Sequence, residues 1–232
     1  ARVPGAIAPI LETVRRCRAA LPEATALIGF AGSPFTVACY MVEGGGSKEF
    51  FRIRSMAHAR PALLARLIDA LVASTVDYLS AQVEAGAQVL MLFDSWAGVL
   101  SPLLFRHQVI EPTARIVAAL RERHKEVPII GFPRLAGVQV GAYASGAGVD
   151  AVALDTGAEL RIALRLLPDG IASQGNLDPL ALLAGGAVLE AETRHLLDSV
   201  RGRPHIFNLG HGVVPQTPPE HVADLVRLVR EA

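Results

Sequence analysis

Apolar residues fall along this chain in two rhythms. Short unbroken apolar runs alternate with longer stretches in which apolar positions recur every three or four residues. The first run is Ala26-Leu27-Ile28-Gly29-Phe30. Five more occupy 88–93 (QVLMLF), 128–132 (PIIGF), 151–154 (AVAL), 171–175 (IASQG) and 205–209 (HIFNL). Runs this short and this continuous predict strands buried on both faces. Helical spacing predicts helices over 6–20, 48–59, 61–86, 102–122, 158–167, 186–200 and 218–231. A further helix is predicted from Pro34, with the proline in its first turn and Ser33 as its cap, ending near Gly44-Gly45-Gly46. Gly86 stops the long helix, and the Gly-rich stretch after Phe132 carries only a weak pattern.

Strands separated by helices point to a parallel sheet. A doubly wound open sheet and a (β/α)8 barrel both fit this rhythm, and periodicity alone does not choose between them. The residues that follow the runs shift the balance: Gly32-Ser33-Pro34, Asp94-Ser95-Trp96, Pro133-Arg134, Asp155-Thr156, Asn176-Leu177-Asp178 and Gly210-His211-Gly212. Polar or glycine residues at every strand end suggest convergence on one site, as at the C-terminal face of a barrel. No G-x-G-x-x-G follows the first strand, and no G-x-x-x-x-G-K-[ST] occurs anywhere. The expected architecture is a single domain over 1–232: an α/β TIM barrel, incomplete, with about six βα units and its first strands missing.

Composition narrows the function classes. Hydrophobic residues make up 51% and charged residues 19%, enough for a sizeable core and unlike a disordered chain. Lys+Arg and Asp+Glu both total 22, so general attraction to nucleic acid or anionic membrane is not expected, although one local cluster could still hold an anion. Cys17 and Cys39 are too few for a disulfide framework, which suits a reducing cytoplasm. The uncharged stretch Ala24–Val42 contains Gly29, Gly32 and Pro34 and reads as strand, turn and helix rather than a membrane span. The start shows neither a signal peptide nor an initiator Met, which fits a chain that begins inside a longer polypeptide or one that was processed.

Several segments carry candidate chemistry beside an ordinary structural role. The glycines of Tyr40-Met41-Val42-Glu43-Gly44-Gly45-Gly46-Ser47 could cradle an anion, but a bare triplet more commonly ends a helix. Tyr40 could hydrogen-bond a ligand or sit half-buried in the core. Asp94 or Ser95 could face a ligand or cap the next segment. Gly175-Asn176-Leu177-Asp178-Pro179 has the chemistry of a turn with an Asx cap. His211, between two glycines, is open to close ligand approach. The cysteines and histidines lack zinc-site spacing, so no metal is expected.

Taken together, LIGFAGSPFTVACYMVEGGGS (27–47), LMLFDSWAGVLSP (90–102), QGNLDP (174–179) and FNLGHGVVPQTPPEHV (207–222) resemble uroporphyrinogen decarboxylases, in the family's order and across essentially the whole chain. The resemblance implies a cytoplasmic homodimeric (β/α)8 barrel that needs no cofactor. It implies removal of the four acetate carboxyls of uroporphyrinogen to give coproporphyrinogen and carbon dioxide, on the way to haem and chlorophyll. It also implies that Tyr40, Ser95 and His211 bind substrate carboxylates or line the pocket, and that Phe93 forms an apolar wall. The remaining glycines and GNLDP would shape strand ends.

This sequence departs from the family in two minor respects, Ser33 for the usual alanine and a weak match over 133–148. A larger departure is the family's Arg-rich segment and the early aspartate that orients the pyrrole N–H groups, neither of which is found before Leu27. No catalytic residue is therefore assigned within this chain, and the chain alone is expected to be inactive. Two other readings compete: a corrinoid-linked zinc methyltransferase of the same superfamily, and a non-catalytic tetrapyrrole-binding protein.

Overall fold

A computed structural model describes residues 3–231. Six parallel strands form one sheet: β1 (Ile28–Gly32), β2 (Val89–Asp94), β3 (Ile129–Pro133), β4 (Ala151–Ala153), β5 (Ala172–Leu177) and β6 (His205–Leu209). Their spatial order is their sequence order. A doubly wound sheet would reverse order at a switch point, so this topology is the barrel type. β1 and β6 are the two edges of the sheet.

Residues alternate between two apolar layers. Leu90 and Leu92 face outward into the main core, packed under the helices. Met91, Ile130, Phe132, Ala151 and Ala153 form a smaller inner cluster. The central strands are buried on both faces, as their unbroken apolar runs require. The edge strands alternate instead. Ile28, Phe30 and Ile206 are 43%, 58% and 42% exposed, because no strand covers the inner face beside them among the described residues. Their exposure marks an unclosed barrel.

The helices lie close to their expected positions, with informative differences. Pro34–Glu43 begins after Ser33 and ends at Gly44, whose φ of 80° is the left-handed C-cap that favours glycine. Ser33 occupies the cap position, yet its hydroxyl makes no capping bond. Residues 102–122 are not one helix. Pro102–Phe105 is followed by a π-helical turn, Arg106–Ile110, and then by Glu111–Arg123. Pro112 has no N–H to donate to the preceding turn, and the wider turn accommodates that loss. The Gly-rich stretch contains a helix, Val140–Gly146, that its weak periodicity did not reveal. Among the described residues, no helix is long and apolar enough to cross a membrane.

Candidate active site

The C-terminal ends of the strands surround a cavity of about 330 Å³. Phe93 and Phe132 wall one side of it and belong to a ladder of phenyl rings on the inner face. Phe30 and Phe93 meet edge to face at 5.8 Å, and Phe93 and Phe132 at 5.9 Å. Large residues on β1 to β3 thus oppose Ala151, Ala153 and Ala172 on β4 and β5, and that imbalance opens the space.

Phe93, Ser95, Arg134, Asn208 and His211 all line this cavity, carried by the ends of β2, β3 and β6. Among the described residues, the Ser95 hydroxyl and the Arg134 guanidinium have no protein partner, and Arg134 is the only Lys or Arg lining the space. The Gly212 N–H donates to His211 Nδ1 at 2.8 Å. In the neutral ring the proton then sits on Nε2, so one donor is left for a ligand. The site therefore offers hydroxyl, imidazole and guanidinium donors above an apolar wall, a combination suited to a large apolar body bearing carboxylates.

The strand ends are held in place by backbone bonds. Asp155 accepts the Leu135 N–H at 2.7 Å and the Gly157 N–H at 2.9 Å. Leu135 has φ of 59°, left-handed for a branched residue, and its carboxylate partner helps hold the turn that carries Arg134. Asn176 donates to the carbonyls of Asp155 and Ala158 at 3.0 and 2.8 Å. Asp178 caps Pro179–Ala184 by accepting from Leu180 N–H. Gly210 packs so closely on Thr156 that a Cβ there would overlap the Thr156 backbone. Asp155, Asn176, Asp178 and Gly210 thus build the rim.

Of the four residues singled out from the sequence, Phe93, Ser95 and His211 come together in this cavity. Tyr40 does not line it. Tyr40 is 45% exposed and stands 6.2 Å, ring to ring, from Trp96, the neighbour of Ser95. Gly45 and Gly46 face open space, and none of the three glycines borders the cavity. Sequence reasoning missed Arg134 as a site residue; its signal was a cation directly following the third strand. Among the described residues, no group of three or more His, Cys, Asp or Glu could hold a metal ion. Cys17 is exposed, and Cys39 is buried in the core.

Fold and site together define a β/α-barrel protein with a donor-lined cavity at the C-terminal strand ends. Comparison with known proteins gives the class a family. Residues 2–232 match the family model described as Uroporphyrinogen decarboxylase (URO-D), and the chain belongs to that family. It is 59% identical over 228 residues to the uroporphyrinogen decarboxylase of Granulibacter bethesdensis, a match covering 97% of this chain and 66% of the relative. It is 55% identical over 240 residues to that of Gluconacetobacter diazotrophicus, covering 99% of this chain and 68% of the relative. The chain therefore spans about two thirds of the length of these relatives. A methyltransferase from Methanosarcina mazei shares the fold, with a TM-score of 0.82 at 21% identity, over 97% of this chain and 64% of that one.

Proposed function

We propose that this chain is the larger part of a uroporphyrinogen decarboxylase, a carboxy-lyase that converts the four acetate side chains of uroporphyrinogen to methyl groups with release of carbon dioxide. The supporting observation is the convergence of Ser95, Arg134 and His211 on one cavity walled by Phe93 and Phe132, with Phe30 packed behind Phe93. A tetrapyrrole is a broad apolar body fringed with carboxylates. The phenyl ladder suits its faces, and the three donors suit its fringe. Tyr40 is placed in the same reading as a contact for the outer carboxylates, beside Trp96.

In this chemistry a pyrrole ring is protonated and takes up the electron pair of the breaking carbon–carboxylate bond. Carbon dioxide leaves, the new exocyclic carbon takes a proton to become methyl, and the ring returns its own. The residues of this chain hold and orient the anionic macrocycle for that sequence. The protonating group is not assigned to them. The same reading carries a cytoplasmic homodimer, no cofactor, and a product that feeds haem and chlorophyll synthesis.

The test is a chimaera joining this chain to the part of the Granulibacter bethesdensis relative that lies outside the match. Incubated with uroporphyrinogen, it should release carbon dioxide and coproporphyrinogen. The 232 residues alone, with the outer edges of β1 and β6 unpaired among the described residues, should give no turnover. Arg134→Gln should weaken uroporphyrin binding about tenfold, as expected for loss of one charge-assisted contact, while stability stays within about 0.5 kcal/mol. A folded chimaera that neither binds nor converts the tetrapyrrole would overturn the reading.

A further inference from the structure

Behind the cavity, on the helix-facing side of β2, lies a buried polar pocket that the reaction above leaves unused. Asp94 ends β2 pointing away from the cavity, while Ser95, the next residue, lines it. Asp94 is 1% exposed. Its Oδ1 accepts from Thr36 Oγ1 at 2.6 Å, and Thr36 Oγ1 accepts the Trp96 N–H at 3.2 Å. Thr36 has one hydroxyl proton, so the direction of this chain is fixed: Trp96 to Thr36 to Asp94. The other carboxyl oxygen, Oδ2, is buried without a partner. Among the described residues the Ser33 hydroxyl is also buried without a partner, and the buried Tyr143 phenol lies beside Thr113. The Ser33 N–H binds the Phe93 carbonyl at 2.8 Å, and the Tyr143 phenol lies over Gly131 of β3.

The ionisable groups that face Asp94 supply no positive charge. From Pro34–Glu43 there is Cys39, with Glu43 beyond it; from Val140–Gly146 there is Tyr143. Burial, together with the field of Asp94, raises both the thiol and the phenol. An ionised Asp94 would hold one charged oxygen that, among the described residues, has neither donor nor cation beside it. A protonated Asp94 carries no charge there, and Thr36 Oγ1 can still donate to its Oδ1.

We propose that Asp94 is a positioning residue that works in its protonated form, fixing the turn that presents Ser95 to the cavity against the helix that carries Tyr40. Trp96 packs at a tilt against Phe50 at 4.5 Å and edge to face with Tyr40 at 6.2 Å, so the turn that carries Ser95 also borders Tyr40. Burial raises the Asp94 carboxyl from its usual 3.8 to about 7, against the hydrogen bonds from Thr36, which lower it. The folded value lies above the unfolded one. The stabilising contribution is therefore complete below about pH 4 and is lost as pH rises through about 7. What Ser95 and Tyr40 bind rests on the function proposed above; the protonation state does not.

Asp94→Asn keeps one acceptor and one donor but cannot ionise. In the full chain, the infrared difference between wild type and Asp94→Asn should show the carbonyl stretch of a protonated carboxylic acid, fading above about pH 7. The thermal midpoint of wild type should fall relative to Asp94→Asn between about pH 5 and about pH 8.5. Over that range, uroporphyrin affinity of the wild-type chimaera should weaken about tenfold more than that of the Asp94→Asn chimaera. Equal pH profiles for the two proteins, or no protonated-acid band near neutrality, would overturn the proposal. If Asp94→Asn fails to fold, the band and its pH dependence in wild type alone decide. If the band and profile appear but no uroporphyrin binds at any pH, the proposed function fails and the protonated state stands.

Discussion

Asp94 and Asp155 occupy the same rim, at the ends of β2 and β4, and both are nearly sealed from solvent, at 1% and 7% exposure. Their surroundings differ in one respect. Asp155 receives two backbone N–H groups, from Leu135 and Gly157, one on each oxygen. Asp94 is met by Thr36 alone, and among the described residues its Oδ2 has no partner. The supply of backbone donors decides this. The turn after β3 puts Leu135 in a left-handed conformation with its N–H bonded to Asp155. Asp94 faces the first turn of Pro34–Glu43 instead, where Thr36 is its partner. A carboxyl met by backbone donors ties strand ends together, whereas one left short of them does best to keep its proton.

The sharpest way to break this comparison is to remove the better-paired acid. Asp155→Ala leaves the Leu135 and Gly157 N–H groups without their acceptor, and hydrogen bonds to a carboxylate contribute about 1.5–3 kcal/mol each. Urea unfolding should show a loss of about 3–4 kcal/mol, and Asp155→Asn about half of it. A loss under about 1 kcal/mol would mean that the turn carrying Arg134 holds itself. Thr36→Val acts on the other acid. It removes the hydroxyl that, among the described residues, partners both Asp94 Oδ1 and the Trp96 N–H, and should cost about 2 kcal/mol, more at high pH than at low, because an ionised Asp94 suffers more from losing its donor. An equal loss at both ends of the pH range would count against a protonated Asp94.

The strands were legible because six continuous apolar runs can be buried only in a sheet covered on both faces, and each lies within two residues of its expected span. The helix Val140–Gly146 was not, since GAYASG has too few large apolar residues to show a period; it is held by Tyr143 packing over Gly131, a contact visible only in three dimensions. Within the site, Phe93, Ser95 and His211 stood out because each adjoins a strand end in a distinctive segment. Arg134 was hidden by the weakly patterned stretch it opens. The contrast between Asp94 and Asp155 was not legible either. Sequence places each beside a strand end but does not say which backbone N–H groups will face it.

Ser33→Ala should have the smallest effect, and it bears most directly on where the Asp94 proton goes. A serine at a helix N-cap usually contributes about 1 kcal/mol by bonding an exposed N–H of the first turn. Ser33 holds that position but caps nothing, and its hydroxyl is buried without a partner. Removing an unpaired buried hydroxyl costs little, so Ser33→Ala should stay within about 0.5 kcal/mol of wild type or gain slightly. The same result at about pH 6, where Asp94 is protonated, and at about pH 8.5 would exclude Ser33 as the acceptor of the Asp94 proton. A loss of about 1 kcal/mol for Ser33→Ala at about pH 6, vanishing at about pH 8.5, would identify the serine as the acceptor instead.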